Sequence, residues 1–396
     1  MAADEKTCIG DSPFCRSEQA QPAKGTVPNA GFDAVSRARK ALQGFEPYDP
    51  AFTPCRVNLS ANENTHDVPM PFFDALREAM AATPLNRYPD PMADDLRRQI
   101  AERHDVEIEN VLVGNGGDEI LFNLFFTFGG PGHALVTCPP DFSEYANFAK
   151  MCEMPVVSAW RDPETYAPDA DALVAAVNDN NAAMVVLTSP NNPTGDLVDP
   201  SIVRRLLDET DALVLLDEAY VEFAGTPELL GEDKSLVGWV AENPRLMVLR
   251  TLSKAFGLAG LRVGYLVADP AVVDMLGAIR QLYSEDVIAQ SVAVQAVGHR
   301  ELMVPVVADI VAERERLAAA LAAIPGARVW PSSANFVLFR VPGAATVRAR
   351  LRDEYSILVR DFSAAPGLSD CLRITVGTAE ENDLLLDALH ELVGAA

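Results

Sequence analysis

The chain has 396 residues and a formal net charge of −25, and hydrophobic residues make up 49% of it. This acidic balance argues against a nucleic acid or an anionic membrane surface as partner, because both are bound through basic patches. The length exceeds what one compact core usually holds, so we expect two domains of unequal size.

The N-terminal region is predicted to contribute little to the main fold. Residues 1–30 are polar, with scattered Pro and Gly, which indicates a flexible arm. A short helix is predicted over 31–43, closed by Gly44, and a proline-rich extended stretch follows it to residue 70.

Neither a membrane segment nor a metal site is expected from the sequence. The N-terminus has no apolar run of signal-peptide length, and nowhere does an uninterrupted apolar stretch reach the roughly 18 residues of a transmembrane helix. The six cysteines form no C-x-x-C pair and do not cluster with the histidines, so neither a zinc site nor a disulfide framework is predicted. Scattered free thiols favour a cytoplasmic location.

From residue 71 to about 280, short apolar strands alternate with amphipathic helices. The runs at 182–190 and 212–220 are continuously apolar, which is typical of strands covered on both faces. The alternation predicts an α/β fold with a mostly parallel, doubly wound sheet, and we assign it to a large domain at 71–285.

The pattern changes after residue 285. Helices are predicted to about residue 323, and strands and helices then alternate at shorter spacing, with strands at 334–341, 356–361 and 371–377. We therefore expect a smaller α+β domain at 286–396, joined by the segment 31–70.

Polar and aromatic groups follow several of the predicted strands. Ligands of α/β proteins bind beyond the carboxyl ends of the strands, so these groups are the candidates for a site. The stretches concerned are GNGGDE (114–119), CPPDFSEY (138–145), SPNNPTG (189–195), DEAY (217–220) and TLSKAF (251–256). Together they supply the kinds of group that a pyridoxal phosphate site needs.

Lys254 is the central candidate. It is the one lysine in the apolar, glycine-rich stretch 248–265, and an amine shielded from water is a stronger nucleophile. We interpret Lys254 as the lysine that forms a Schiff base with the cofactor and later moves a proton. Taken alone, it fits a surface or salt-bridged lysine equally well.

Three further side chains fit the cofactor's ring. Asp217 ends an apolar strand, and opposite a protonated pyridine nitrogen it would keep the ring cationic; a helix N-cap is the alternative. Tyr220 and Asn192 would bond the phenolic oxygen of the ring, although N-N-P-T-G also fits a tight turn.

A phosphate group needs backbone amides and cations. Gly117 and Asp118 open a helix, so their N–H groups would face an anion, and Ser253 and Arg262 would complete the anchor. Phe142 would stack on the pyridine ring, with a core aromatic as the alternative.

Two arginines follow apolar strands of the predicted small domain, Arg360 in ILVRD and Arg373 in CLRITVG. A guanidinium binds a carboxylate or phosphate in bidentate fashion. Two of them near strand ends indicate an anionic substrate.

Eight stretches, taken in order, resemble the fold-type I, class II aminotransferases, and among these the histidinol-phosphate aminotransferase family. They are NLSANEN (58–64), NRYPDP (86–91), GNGGDE (114–119), SPNNPTG (189–195), LLDEAYVEF (215–223), RTLSKAFGLAGLRVGY (250–265), ANFVLFR (334–340) and LRITVG (372–377). The resemblance extends over residues 45–390.

The resemblance implies a pyridoxal-phosphate-dependent homodimer in histidine biosynthesis that transfers nitrogen between an amino donor and a 2-oxo acid. Tyr88 would then reach the partner's cofactor phosphate. Arg373 would bind the α-carboxylate of an amino acid or its 2-oxo counterpart, and Arg360 and Tyr48 would contact the substrate's phosphate.

The chain departs from the family pattern at two places that bear on the substrate. His66 and Asp67 replace the usual residues after N-E-N and are expected near the substrate mouth. In the segment LYSEDV, Glu285 and Asp286 would oppose a substrate phosphate, or Ser284 would cap a helix with the two acids in its first turn. An aromatic aminotransferase and a threonine-phosphate decarboxylase-like lyase are the alternative functions. A regulatory protein that binds the cofactor is disfavoured, because no helix-turn-helix domain is present and the chain is acidic.

Overall fold

The computed structural model of the chain describes residues 34–45 and 53–393. Backbone contacts divide the chain into two units, Met1–Glu46 and Pro47–Ala396. Within the described residues, no helix is long and apolar enough to cross a membrane. The same residues contain no group of three or more His, Cys, Asp or Glu side chains placed to hold a metal ion.

The first unit lacks the predicted helix over the part that the structure describes. Two short 3-10 turns, Ala34–Arg37 and Lys40–Leu42, take its place. Residues 36–40 are exposed, and a helix of this length is only marginally stable in water. The prediction of one continuous helix is therefore wrong from residue 34 onward.

Two β-sheets, one of seven strands and one of five, organise the second unit. In chain order the strands are β1 (Val57–Leu59), β2 (Val111–Asn115), β3 (Leu135–Thr137), β4 (Val156–Ser158), β5 (Met184–Thr188), β6 (Leu213–Asp217), β7 (Leu246–Thr251), β8 (Val263–Val267), β9 (Arg328–Val329), β10 (Phe336–Arg340), β11 (Ile357–Asp361) and β12 (Cys371–Thr375).

The α-helices alternate with these strands. They are α1 (Met70–Ala82), α2 (Asp94–His104), α3 (Gly116–Phe128), α4 (Glu144–Met151), α5 (Ala170–Asp179), α6 (Pro200–Glu209), α7 (Pro270–Ile279), α8 (Val287–Gly298), α9 (Val304–Ala322), α10 (Ala344–Tyr355) and α11 (Ala379–Val393). Short 3-10 turns lie at Ile108–Asn110, Val221–Phe223, Pro227–Leu229, Val237–Glu242, Ala259–Leu261 and Arg300–Met303.

The seven-stranded sheet has the order β2-β8-β7-β6-β5-β3-β4. Its neighbouring strands pair in parallel except at β8, which is antiparallel to both β2 and β7. Only residues 252–262 connect β7 to β8, and a parallel pair would need a longer crossover. The predicted mostly parallel sheet is confirmed.

Helices cover both faces of this sheet, because successive strand residues point to opposite sides. Leu215 of β6 packs in one core with Leu124 of α3 and Leu276 of α7, whereas Leu216 packs in the other with Leu206 of α6. The sheet is therefore doubly wound, as its continuously apolar strands predict.

The five-stranded sheet has the order β1-β11-β12-β10-β9. β1 pairs in parallel with β11, with Val57 opposite Ile357, and the remaining pairs are antiparallel. A strand from the start of the second unit thus lies in a sheet built otherwise from its last third. The predicted domain boundary near residue 285 stays a prediction.

Parallel strands bring their carboxyl ends to one edge of the large sheet. β5, β6 and β7 end there at Thr188, Asp217 and Thr251. The residues that follow them belong to the loops in which the sequence predicts the site.

Candidate active site

A cavity of about 590 Å³ lies at this edge of the large sheet, and both Lys254 and Asp217 line it. Asp217 is the last residue of β6, and Lys254 lies in the loop that follows β7. The Lys254 ammonium donates to the backbone oxygen of Ala61 at 3.3 Å and lies 5.7 Å from the centre of the Tyr220 ring. The structure thus brings the two central candidates into one pocket.

The Asp217 carboxylate is buried and well supplied with donors. The Tyr145 hydroxyl donates to its Oδ2 at 2.6 Å, and the Ala219 N–H donates to its Oδ1 at 3.0 Å. Burial raises the pKa of Asp217 to about 6, against the lowering effect of these hydrogen bonds and of Lys254. The carboxylate is therefore ionised at neutral pH despite its burial, and no helix begins at Asp217, so the N-cap alternative does not apply.

Tyr220 and Asn192 also line the cavity, each held by a neighbour. The Tyr220 hydroxyl accepts a hydrogen bond from Asn62 Nδ2 at 3.0 Å. Asn192 Oδ1 accepts from an Arg373 Nη1 at 2.6 Å. The side-chain oxygen of Asn192 therefore orients the guanidinium, in addition to any contact that its amide nitrogen makes.

The N-terminus of α3 forms an anion-binding cup. The N–H groups of Gly117 and Asp118 lie in its first turn, where the helix dipole favours negative charge. Arg262 reaches the cup, and its Nη2 donates to the Asp118 carboxylate at 2.9 Å. Ser253 lies on the rim, held by a hydrogen bond from its N–H to Thr251 Oγ1.

Two glycines make room for the cup. A Cβ atom on Gly116 would lie 2.5 Å from the Arg262 guanidinium, and Gly116 itself has a φ of 75°, which favours glycine. A Cβ atom on Gly264 of β8 would lie 2.7 Å from the backbone of Gly116 and Gly117. The two glycines therefore allow β8, Arg262 and the start of α3 to pack closely against one another.

Arg360 and Arg373 face each other across β11 and β12 and both line the cavity. Arg373 also donates to the backbone oxygen of Ser60 at 2.7 Å, and its guanidinium lies between the rings of Phe336 and Phe362. Two guanidinium groups on adjacent strands that line one cavity suit an anionic ligand, because arginine binds carboxylate and phosphate oxygens in bidentate fashion.

The predicted cofactor and substrate residues divide into three groups. The lining of the cavity contains Gly117, Asp118, Phe142, Asn192, Asp217, Tyr220, Ser253, Lys254, Arg262, Arg360 and Arg373. Tyr88 lies elsewhere: its side chain is 82% exposed and its ring stacks on Tyr283 at 4.8 Å. Tyr48 lies outside the described residues.

The two departures from the family pattern lie away from the cavity. His66 is half-buried, with Asp309 and Glu381 as its nearest charges, and burial lowers its pKa. His66 and Asp67 are not among the lining residues, so their expected place at the substrate mouth is wrong. The nearby Asn64 donates from its side chain to the backbone oxygen of Ala255 at 3.1 Å.

The acidic pair at 285–286 is structural as well. Asp286, and not Ser284, is the N-cap of α8, and it accepts from the N–H groups of Ile288 and Ala289. Glu285 is 1% exposed and forms an ion pair with Arg280. Neither acid lines the cavity, so the structure favours the helix-start alternative and corrects the identity of the cap.

Sequence reasoning missed several residues that shape the site. Tyr145, Thr188 and Asn62 line the cavity and bond Asp217 or Tyr220, directly or through one another. A signal for Tyr145 exists in the spacing: it lies three residues after Phe142, on the helix turn that faces the sheet. Thr188 has a weaker signal, as the final residue of an apolar strand.

A buried ionic cluster lies behind the two central residues. Arg250 is fully buried, and its guanidinium lies 3.6 Å from Glu218, 3.7 Å from Glu222 and 2.9 Å from Glu232. Burial raises the pKa of Glu218 to about 7. Because Glu218 follows Asp217 and Arg250 lies on the strand before Lys254, the cluster ties the ends of β6 and β7 together.

Comparison with known proteins agrees with this geometry. Residues 56–389 match the family described as aminotransferase class I and II. The chain is 36% identical over 358 residues to the histidinol-phosphate aminotransferase of Thermoanaerobacter pseudethanolicus, an alignment that covers 90% of this chain and 98% of that relative. It is 40% identical to the histidinol-phosphate aminotransferase of Roseiflexus castenholzii, with 85% of this chain and 89% of that relative covered.

A solved structure shows the same architecture. Histidinol-phosphate aminotransferase from Sinorhizobium meliloti, in complex with pyridoxal-5'-phosphate, superposes with a TM-score of 0.82 at 26% identity, covering 92% of this chain and 99% of that one. The family match covers most of the chain, and the fold and the arrangement of the cavity agree with it. The chain belongs to the class I and II aminotransferases, as its motifs predict.

Proposed function

We propose that this chain is a pyridoxal-phosphate-dependent aminotransferase that acts on L-histidinol phosphate and 2-oxoglutarate, giving imidazole-acetol phosphate and glutamate in histidine biosynthesis. The observation that carries the proposal is the pairing of Arg360 with Arg373 in a cavity that also holds Lys254 and Asp217. Such a cavity accommodates a cofactor and a substrate that both carry negative charge. Curated relatives at 36% and 40% identity bear the same enzyme's name.

The residues present fit pyridoxal phosphate. The cup formed by the start of α3, Ser253 and Arg262 would hold its phosphate, and Gly116 and Gly264 allow these parts to pack closely together. Phe142 lines the cavity beside Tyr145 and would stack on the ring. When bound, the cofactor supplies an electron sink that allows nitrogen to move between an amine and a 2-oxo acid.

Three side chains carry the proposed chemistry. Lys254 would hold the cofactor covalently, and its amine would carry a proton to and from the substrate carbon that bears nitrogen. Asp217, ionised and buried, holds positive charge on the ring nitrogen. Tyr220, oriented by Asn62, and Asn192 donate to the phenolic oxygen.

The substrate is bound by the small sheet. Arg373, fixed by Asn192 and Ser60, takes the carboxylate of glutamate or 2-oxoglutarate. Arg360, beside it on β11, takes the phosphate of histidinol phosphate together with Tyr48. The two anionic groups belong to the substrates of different half-reactions, so one cavity serves both.

We further propose that the enzyme is a cytoplasmic homodimer, with the active site completed by the partner. Large apolar side chains are exposed on α1, on α7 and in the adjoining loops. They are Met70, Phe73, Met80, Leu85, Tyr88, Met275, Ile279, Leu282 and Tyr283. Large apolar side chains exposed in this number indicate a protein–protein interface. We propose that a second copy of the chain covers them, and that Tyr88 then reaches the partner's cofactor phosphate.

A pair of amines tests the substrate assignment. We expect kcat/KM of the wild type to be at least about 100-fold higher for L-histidinol phosphate than for L-histidinol, because one desolvated charge pair contributes about 3 kcal/mol. Arg360→Ala should remove most of that preference and leave the activity on L-histidinol nearly unchanged.

The control for this test is Arg350→Ala, which removes an exposed arginine that pairs with Glu354 on α10. It should keep the wild-type preference. Equal losses on both amines in Arg360→Ala would contradict the phosphate role, and a wild type with no activity on either amine would contradict the proposed substrate.

A further inference from the structure

Tyr145 links a threonine to the buried carboxylate of the site. Its hydroxyl group lies 2.8 Å from Thr188 Oγ1 and 2.6 Å from Asp217 Oδ2. An ionised carboxylate only accepts hydrogen bonds, so the Tyr145 proton points to Asp217 and the Thr188 hydroxyl donates to the Tyr145 oxygen. The hydrogen bonds thus run in one direction, from Thr188 through Tyr145 to Asp217.

The two hydroxyl groups in these hydrogen bonds are shielded from solvent. Tyr145 is 0% exposed and Thr188 is 2% exposed, so neither hydroxyl is replaced readily by water. The Tyr145 ring is fixed by an edge contact with Phe142, whose centre lies 5.5 Å away. A hydrogen bond from so immobile a donor has a fixed direction and acts in a region of low dielectric, where it is strong.

Asp217 needs such a donor, because its surroundings oppose ionisation. Burial and the charge of Asp118, on α3, raise the pKa of Asp217, whereas Lys254 and the hydrogen bonds from Tyr145 and Ala219 lower it. Asp141, which precedes α4, adds further negative charge near Tyr145. Lys254 already has a role in the proposed chemistry, and Ala219 donates through its backbone N–H. Tyr145 also favours ionised Asp217, and the proposed chemistry gives its side chain no other role.

We infer that Tyr145 is a positioning residue that keeps Asp217 ionised, so that Asp217 can hold positive charge on the ring nitrogen of the bound cofactor. This role rests on the proposed cofactor but not on the identity of the substrate. Thr188 strengthens the effect by donating to the Tyr145 oxygen, which polarises its O–H bond.

The role predicts a definite direction of change. In Tyr145→Phe, Asp217 loses one donor and takes up its proton at higher pH, so less positive charge is held on the ring nitrogen. The visible absorbance of the cofactor-loaded protein depends on the charge of that ring, so its change with pH is expected at higher pH than in the wild type.

The first measurement is a pH titration of the visible absorbance of the cofactor-loaded protein, without substrate. The midpoint for Tyr145→Phe should rise by about one pH unit, the size expected for loss of one hydrogen bond to a charged group. The acid limb of the kcat profile should shift upward in parallel, with kcat about tenfold lower at neutral pH and KM for the amine little changed.

Tyr166→Phe is the matched control. Tyr166 is also a buried tyrosine, and its hydroxyl donates to the backbone oxygen of Gly367 at 3.0 Å, away from the cavity. It should shift neither the midpoint nor the acid limb. Thr188→Val should shift both in the same direction as Tyr145→Phe, but by less, and it decides the matter if Tyr145→Phe does not fold.

A loaded Tyr145→Phe or Thr188→Val protein whose titration matches that of Tyr166→Phe would overturn the role of Tyr145 alone. A wild type that takes up no pyridoxal phosphate would instead overturn the proposed cofactor, and with it this role. An upward shift of the midpoint in Tyr145→Phe with no change in the control supports the inference, whichever amine proves to be the substrate.

Discussion

The protonation state of Asp217 that favours folding differs from the one that the proposed chemistry needs. The carboxylate is 6% exposed, and burial raises its pKa to about 6, well above the usual range of an aspartate. In the folded protein without cofactor, the ionised form is therefore the costly one. An ionised Asp217 is useful only when a positively charged group lies beside it, so the site is strained until its cofactor binds.

We predict that Asp217→Asn stabilises the cofactor-free protein at pH 8. Because the folded-state pKa is raised, the stability that this group contributes is complete below pH 4 and is lost as the pH rises through about 6. A shift of this size corresponds to at most about 3 kcal/mol. Urea unfolding at a series of pH values measures it.

The difference in free energy of unfolding between Asp217→Asn and the wild type should decrease from pH 6 to pH 4, because the wild-type carboxyl group takes up its proton there. Asp199→Asn, at the exposed N-cap of α6, serves as the control and should show little change, since Asn also caps helices. A less stable Asp217→Asn protein at pH 8 would show that the carboxylate stabilises the fold by itself.

Single residues were predictable from the sequence where they follow an apolar strand. Lys254, Asp217 and Asn192 come directly after buried runs, and the edge of a parallel sheet gathers such positions. Tyr145 and Asn62 escaped prediction, because their importance lies in which atom they bond, and that depends on how distant segments pack. The predicted place of His66 was wrong, because this residue follows a motif in the sequence but does not line the cavity.

At the scale of elements, the loop after α7 and the start of α8 form one structural unit. Glu285 pairs with Arg280, and Asp286 caps α8. The side chain of Asn115, next to the anion-binding cup, bonds the backbone oxygen of Ser284. The loop therefore supports the cup from behind, without facing the cavity.

Asp286→Ala should destabilise the protein by about 1 kcal/mol, the usual cost of losing an N-cap, and leave KM for both substrates unchanged. Thermal unfolding and steady-state kinetics check the two parts. Asp269→Ala, which removes the N-cap of α7, should cost a similar amount. A large rise in KM for histidinol phosphate without loss of stability would place Asp286 in substrate binding after all.

Gly264→Ala tests the close approach of β8 to the start of α3. A Cβ atom there would lie 2.7 Å from the backbone of Gly116 and Gly117, so the cup must move. We expect at least about a tenfold loss of cofactor affinity, measured by fluorescence titration of the cofactor-free protein. Gly238→Ala is the control, because no atom lies within 4 Å of its added Cβ, and cofactor affinity equal in both variants would contradict the assignment of the cup.

Elements were predictable to the extent that their periodicity is a local property. The buried strands and the helices between them match the apolar runs. The residues of β8 do not by themselves predict its direction. The short connection from β7, however, favours the antiparallel pairing that the structure shows. The prediction of a helix over 31–43 is wrong from residue 34 onward, because helix propensity alone is marginal over so short a segment.

At the scale of the whole molecule, the proposed dimer accounts for the exposed apolar side chains and for the place of Tyr88. That residue belongs to a motif of the family, yet it is 82% exposed and outside the cavity of its own chain. The net charge of −25 keeps such a surface soluble as subunits assemble, but it gives no indication of which face they share. The sequence alone therefore predicted a dimer through resemblance and not through composition.

Two inactive variants test the shared site. Lys254→Ala and Tyr88→Ala should each lose nearly all activity as homodimers. Co-expressed, they form mixed dimers in which one of the two sites has an intact Lys254 and the partner's intact Tyr88, so purified mixed dimers should show about half of the wild-type activity. Activity no higher than that of either parent, in mixed dimers verified by two affinity tags, would contradict a site completed across subunits.

The central claim, transfer of nitrogen from histidinol phosphate through Lys254, is tested most directly by a single half-reaction. Purified, cofactor-loaded protein is mixed with L-histidinol phosphate in the absence of any 2-oxo acid, and the visible absorbance is followed. The account predicts that the absorbance is lost in the wild type, that 2-oxoglutarate restores it, and that Lys254→Ala does neither. A wild type that ignores histidinol phosphate but responds to tyrosine or phenylalanine, or that releases CO₂ from threonine phosphate, would contradict the account.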